Sequence, residues 1–280
     1  KNSLPLLSLY YYTKPRSFLY RSTHPLHKIL KGTLKKNSEK KSVLYFTVHK
    51  SASTFFNRYL NDLAKQTGQV HIDINGYFVG QGQKGVEKQN EISFKQKAFH
   101  KVGFIYGPMR NYIAVPEMEN YPVVLVLRDP RDVLTSQYFS IKKTHPLLTP
   151  ELIKRRKIAQ SATVDEHALS NQSDRFVKTY TEYINHILGK PNVLFIKYEE
   201  LIIDFKNCLL KINNHCGLNL TEEQIKILDK SDLFKPKKED QSSHVRKIKS
   251  GDYKEKLKPE TIKVLNQKFE RILKTLGYEL

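Results

Sequence analysis

The chain has 280 residues, 39% of them hydrophobic and 27% charged, a balance ordinary for a globular protein long enough to bury a real core. Lys and Arg outnumber Asp and Glu by 48 to 28, and the resulting +20 favours anionic partners: nucleic acid, phosphorylated cofactors, acidic lipid surfaces or acidic glycans. No apolar run approaches the roughly 18 residues that span a bilayer. Two cysteines, Cys208 and Cys216, do not make a disulfide scaffold and favour a reducing, cytoplasmic setting.

Residues 1–41 are basic and aromatic and read as an N-terminal arm poorly patterned for a core, ahead of a single domain over 42–280. The apolar start, KNSLPLLSLYYY, is too short for a signal anchor and shows no small-residue cleavage site. The chain opens without an initiator methionine, which leaves room for an upstream segment. From Val43 the pattern becomes α/β. VLYFTV (43–48) is a continuous apolar run of buried-strand type. HKSASTFF follows it, and then Phe56, Tyr59, Leu60 and Leu63 recur at helical spacing. QVHIDI (69–74), KVGFIY (101–106), PVVLVL (122–127) and NVLFIKY (192–198) are further strand candidates.

Helices lie between these runs. Asp129 caps one, with Pro130 at its first position. Thr163 with Glu166 forms a capping box ahead of a long helix whose inner face holds Phe176, Tyr180, Ile184 and Ile187, ending near Gly189. Thr221 with Gln224 starts another, and the last runs from Pro259 with Leu265, Phe269, Ile272 and Leu276 inward. Strands alternating with helices predict a three-layer α/β sandwich: a central, mostly parallel five-stranded sheet flanked by helices, of P-loop NTPase-like type. Residues 231–253 form a long polar loop, the kind that often carries function.

HKSASTFF sits where a phosphate loop belongs, between a buried strand and a helix, with Lys50 as a cation and Ser51, Ser53 and Thr54 as hydroxyl donors. It lacks the glycines of G-x-x-x-x-G-K-[ST], so a capped strand-to-helix turn with a surface lysine accounts for it equally well. PVVLVLRDPRDVLTSQYFS supplies an independent feature. Arg128 at a strand end and Ser136 in the next helix can share one phosphate, forked guanidinium from one side and hydroxyl from the other. Alone, RDPRD is also a well-capped helix start with surface charges.

Together these segments resemble the sulfotransferases that use 3′-phosphoadenosine 5′-phosphosulfate (PAPS). The matches are K-S-x-[ST]-T-[aromatic] after a strand, V-x-R-[ND]-P-[RK]-D-x-x-x-S, and HVRKIKSGDYKEKLKPE (244–260), similar to a late R-K-G-x-x-G-D-[aromatic] segment. They fall in the family's order over about 43–260, and Tyr198-Glu199 falls where members carry Y-E-[DE]. The resemblance implies sulfuryl transfer from PAPS to a hydroxyl or amine acceptor, a glycan or lipid among the candidates, leaving PAP and needing no metal. It places Lys50 at the leaving oxygen. Ser51, Ala52, Ser53, Thr54 and Phe55 would hold the 5′-phosphate. Arg128, Ser136, Arg246 and Lys247 would hold the 3′-phosphate, with Tyr198 beside the nucleotide.

The general base does not carry over from the resemblance. Family members place a histidine in K-T-H-x-P after the third strand, where this chain reads Tyr106-Gly107. Glu91 and His100 are the leading candidates here, with Tyr106 and His49 behind them. Ala52 stands where glycine is usual and is tolerable there if its φ is negative, where alanine is unstrained. Ile248, also at a glycine position, argues against a glycine-type turn. A P-loop kinase or NTPase and a non-enzymatic nucleic-acid-binding protein are the competing expectations. Nucleic acid is not expected as a partner, and peripheral membrane contact stays open.

Overall fold

Each of the apolar runs becomes a strand in the computed structural model, which describes residues 22–34, 36–78, 87–145, 150–234 and 249–280. The strands are β1 (Val43–Thr47), β2 (Val70–Ile72), β3 (Phe104–Met109), β4 (Val123–Leu127) and β5 (Val193–Lys197). They form one five-stranded sheet in the order β2-β3-β1-β4-β5. Every strand pairing in it is parallel. Both faces are buried, which is why the strands read as continuous apolar runs rather than alternating ones. Leu44, Phe46, Leu125 and Leu127 enter one core, and Val43, Tyr45, Val124 and Val126 the other.

The helices that bear on the site are α1 (Pro25–Leu30), α2 (Ser53–Thr67), α3 (Ile92–Ala98), α4 (Pro130–Phe139), α5 (Pro150–Ser161), α6 (Val164–Leu169), α7 (Asn171–His186), α8 (Tyr198–Ile203), α9 (Phe205–Cys216), α10 (Glu222–Leu228), α11 (Asp252–Lys256) and α12 (Pro259–Leu276). Helices α7 and α12 cover the first core through Phe176, Tyr180, Leu265 and Phe269. Helices α2 and α9 cover the second through Phe56, Leu60, Cys208 and Leu209. Cys208 and Cys216 are free, buried thiols on one helix, about 12 Å apart at 1.5 Å rise per residue. Among the described residues no helix is long and apolar enough to cross a membrane.

Several elements differ from the sequence pattern. The described part of the expected arm is not poorly patterned: α1 buries Leu26 and Ile29 in the first core. Residues 1–21 lie outside the described residues. Strand β3 starts three residues later than the apolar run, because Gly103 takes φ 95° and breaks the extension. It then continues through Gly107-Pro108. Gly107 is required there: its φ is 132°, and a Cβ would stand 2.4 Å from the Tyr45 carbonyl oxygen. The long helix after Thr163 is two helices. The Thr163–Glu166 capping box starts α6, and extended Ser170 then re-caps the chain by accepting from Gln172 N–H into α7. A serine hydroxyl that offers the backbone a local partner competes with helix continuation. Asp129 with Pro130 and Thr221 with Gln224 cap α4 and α10 as their spacing predicts.

Two tyrosines of α7 lock the carboxyl ends of the central strands. Tyr183 donates to the Thr47 carbonyl (2.7 Å) and lies 3.2 Å from that of Met109, and Tyr180 donates to the Arg128 carbonyl at 2.5 Å. The strand ends that carry the site are therefore fixed from beneath by a single helix. Tyr183 carries no sequence signal beyond its spacing.

Candidate active site

The central strand β1 ends at Thr47, and the chain turns through residues 48–52 into α2. Parallel sheets bind ligands at this end of their strands, where the order reverses and helix N-termini offer free N–H groups. Here β3 and β4 leave from opposite sides of β1. The turn is built without glycine. Lys50 (φ 69°) and Ala52 (φ 57°) both take left-handed backbone, so the negative φ that would leave Ala52 unstrained is not met. Left-handed residues alternating with ordinary ones aim successive N–H groups into one concavity, the backbone form of an anion nest. That geometry outweighs the alanine penalty.

The penalty makes a prediction. A non-glycine residue in left-handed backbone costs about 1–2 kcal/mol, and glycine returns about 0.5–1 of this through its freer unfolded state. Ala52→Gly is thus expected to raise stability by roughly 0.5–1 kcal/mol. A higher urea midpoint at unchanged slope is the expected readout, and a lower midpoint would show that the turn is unstrained.

Three observations fit this turn to an anionic group. Ala52 is the N-cap of α2 and offers no side-chain bond to the first-turn N–H groups, which an oxyanion-bearing ligand can meet. Ser51 is fully buried, and its Oγ has no hydrogen-bond partner among the described residues. A buried orphan hydroxyl costs about 1–3 kcal/mol and is kept where something else satisfies it. Beside them, Phe55 stacks on Tyr59 at 5.5 Å and meets Phe205 and Phe234 edge-on at 5.6 and 4.9 Å, an aromatic wall at the start of α2. Ser53 is buried at the helix start and Thr54 is exposed.

Arg128, at the end of β4, latches this turn to the late loop. Its Nη1 donates to the Lys50 carbonyl (3.1 Å), and its Nη2 donates to the Lys249 carbonyl (3.0 Å) and Asp132 Oδ2 (3.3 Å). The guanidinium lies over the Tyr198 ring at 4.6 Å. Burial opposes its charge, but Asp132, Tyr198 and Glu199 outweigh burial and hold its pKa above the ordinary arginine value. Its Nε is buried with no partner among the described residues. Arg128 is thus first a latch, with Nε–H still to offer a ligand. Ser136 lies partly buried on α4, two turns on from Arg128. Arg246 and Lys247 lie outside the described residues.

Asp132 is the counterpart of Arg128 that sequence reasoning missed. Its side chain is fully buried and also accepts from the Gly251 N–H (2.8 Å) and the Tyr253 N–H (2.9 Å). This one carboxylate therefore docks the G-D-Y end of the late loop onto α4. Arg131 corrects the reading of RDPRD as surface charge. It is 1% exposed, pairs with Asp129 through Nε (3.0 Å) and Nη2 (2.7 Å), and reaches Asn266 Oδ1 (2.6 Å) and the Glu279 carbonyl (2.8 Å). Glu199 steadies the same turn, accepting from the Asp129 N–H (3.2 Å) and the Tyr278 hydroxyl (2.7 Å).

The expected bases do not gather here. His100 is exposed and precedes β3 at its amino end. From the level where Val43 meets Ile105, the loop lies six residues up the sheet, about 20 Å at 3.3 Å per residue. Tyr106 is buried mid-strand, and its hydroxyl donates to the Ala98 carbonyl (3.0 Å) and accepts from the His100 N–H (2.8 Å), facing away from the turn. Glu91 is exposed as the N-cap of α3, a helix packed on α1. His49, beside Lys50, does reach an open pocket, together with Arg110, Asn111, Gln137 and Arg175.

Residues 115–277 match the sulfotransferase domain family, more than half of the chain, and the chain belongs to that family. A 3-beta-hydroxysteroid sulfotransferase of Cavia porcellus is 29% identical over 125 residues, covering 44% of this chain and 40% of that protein. The matched stretch thus spans well under half the length of that relative. The crystal structure of mouse sulfotransferase SULT7A1 complexed with PAP superposes with a TM-score of 0.54 at 16% identity, covering 91% of this chain and 90% of the other. The two share the fold. The family match begins after the 48–52 turn, so that turn rests on its own geometry.

Proposed function

We propose that this chain transfers the sulfuryl group of PAPS to a hydroxyl-bearing acceptor. The observation that carries this reading is the buried, unpartnered hydroxyl of Ser51 in a left-handed turn at the uncapped N-terminus of α2. The family and the PAP in the mouse relative support it. When bound, PAPS supplies the sulfuryl group and a phosphate leaving group. Ser51 and the N–H groups of residues 53–55 hold the 5′-phosphate, with Lys50 at the oxygen where negative charge grows. Nε–H of Arg128 and Ser136 hold the 3′-phosphate, joined by Arg246 and Lys247. Phe55 and Tyr198 wall the nucleotide. Positioning and electrostatics supply most of the acceleration in such group transfers.

Calorimetric titration with adenosine 3′,5′-bisphosphate (PAP) in a chelator tests the reading. One site of about micromolar affinity is expected, worth about 8 kcal/mol. Ser51→Ala is expected to weaken it about tenfold or more, since a bond to a charged group is worth about 1.5–3 kcal/mol. The same variant should leave the ligand-free protein no less stable, because the hydroxyl it removes is unpartnered. Preference for magnesium-ATP would favour a kinase or NTPase. Salt-steep DNA binding with no nucleotide effect would favour a nucleic-acid-binding protein.

A further inference from the structure

Next to the turn is a small pocket of about 90 Å³, walled by His49, Arg110, Gln137, Gln172, Arg175 and Phe176, with Asn111 and Thr179 beside them. Its walls come from four places in the chain: the end of β1, the segment after β3, α4 and α7. His49 adjoins Lys50 and Gln137 adjoins Ser136, so the pocket opens beside two residues assigned above to the donor.

Its chemistry is one-sided. Among the described residues no carboxylate lines it, and Phe176 is the one apolar residue of its walls. Neither Arg110 nor Arg175 is in an ion pair among the described residues, and Arg110 Nε is buried with no partner there. The Arg110 backbone is fixed by its N–H to Asn75 Oδ1 (3.1 Å). Gln137 Oε1 lies 3.1 Å from His167 Nε2, and Gln172 Oε1 accepts from Arg155 Nη2 (3.3 Å) while its Nε2 donates to Asn171 Oδ1 (3.2 Å), so both amide carbonyls are already engaged. Two arginines dominate the lining, with the His49 imidazole beside them. Sites for drug-sized apolar ligands are lined mostly by apolar and aromatic side chains. The steroid implied by the name of the guinea-pig relative does not suit this pocket.

The geometry points to an acceptor site for a polyhydroxy compound bearing an oxyanion beside its reacting hydroxyl, gripped by Arg110 and Arg175, with His49 as the proton acceptor. This rests on the PAPS reading above. In the step, the acceptor oxygen bonds to sulfur as the bond from sulfur to the bridging phosphate oxygen breaks. The electron pair of that bond stays on the phosphate of PAP. The hydroxyl proton passes to the free imidazole nitrogen of His49 and then to water.

His49 is exposed at the mouth of this pocket. Desolvation on its protein side first, and then the positive charges of Arg110, His145, Arg175 and Lys50, hold its pKa below the ordinary imidazole value, so the imidazole is neutral at pH 7. An oxyanion between the two arginines cancels part of the charge that opposes protonation of His49. The anionic group therefore aids the chemical step as well as binding.

The test is transfer of labelled sulfate from PAPS to three probes: p-nitrophenyl β-glucuronide, p-nitrophenyl β-glucoside 6-sulfate and the neutral p-nitrophenyl β-glucoside. A kcat/KM at least tenfold higher for one or both anionic probes is expected, and the better of the two identifies carboxylate or sulfate as the group recognised. Arg175→Gln should shrink that preference about tenfold. His49→Asn should lower kcat about 100-fold for every probe, with PAP affinity unchanged within threefold as the check on folding. Equal use of the three probes, or of none, overturns the proposal, as does a His49→Asn enzyme of wild-type rate. Failure of the wild-type protein to bind PAP would instead overturn the donor assignment itself.

Discussion

Asp132→Ala is expected to destabilise the protein by about 3–5 kcal/mol, the range for breaking a buried charge pair by removing one partner. Asp132 has a fully buried side chain, and its oxygens accept from Arg128 Nη2 and from the Gly251 and Tyr253 N–H groups. Alanine leaves a guanidinium, 6% exposed, held by two carbonyls and facing no countercharge in contact. It also strands two backbone donors. At about 2–4 °C per kcal/mol for a domain approaching this size, Tm should fall by roughly 10 °C. The late loop would lose its anchor on α4, so PAP should also bind more weakly than the global stability change explains. Adding Arg128→Met to Asp132→Ala removes the stranded charge, and the double variant is expected to regain stability relative to Asp132→Ala. A single-variant change within 0.5 kcal/mol, the range of an ordinary surface substitution, would refute the latch.

The residues that form this latch show which parts of the molecule are legible in a sequence. The five strands were readable because a sheet covered on both faces demands unbroken apolar runs, as in PVVLVL. The starts of α4, α6 and α10 were readable because capping needs particular side chains at fixed spacing. Arg131 was not, because a charged residue carries the same letter whether it is solvated or sealed against Asp129, Asn266 and the Glu279 carbonyl. The 131–266 contact pairs residues far apart in sequence, and no local period announces it. The same is true of Arg110 and Arg175, which meet at one pocket only because the segment after β3 and the first half of α7 lie beside the same turn. His100 misled for a related reason. Its place near a strand was correct, but in a parallel sheet only the carboxyl ends bind, and it stands at the amino end. The turn at residues 48–52 shows a further limit. Its composition suggested a phosphate loop lacking glycine, and the fold supplies the left-handed geometry anyway, through Lys50 and Ala52.

That geometry bears directly on Lys50→Met, for which kcat is expected to fall about 10²–10³-fold, the loss typical of removing one preorganised group that stabilises developing charge. The backbone at this position does not depend on the lysine side chain, because Arg128 holds the carbonyl at 3.1 Å. Methionine keeps most of the stem, so the stability change should stay near 0.5 kcal/mol, as for ordinary surface sites. PAP affinity should drop far less than kcat, because Ser51 and the first-turn N–H groups of α2 still hold the phosphate. If kcat and kcat/KM fall together, the lysine acts in the transition state and not in ground-state binding. Lys50→Arg separates charge from shape. A guanidinium keeps the positive charge but replaces a compact point charge with a rigid planar fork, so only partial recovery is expected in so tight a turn. Arg128→Met should behave differently, losing stability and PAP affinity together, since that residue ties the turn to the late loop. A Lys50→Met enzyme within tenfold of wild-type kcat would remove the lysine from the chemistry and leave the turn as a phosphate holder alone.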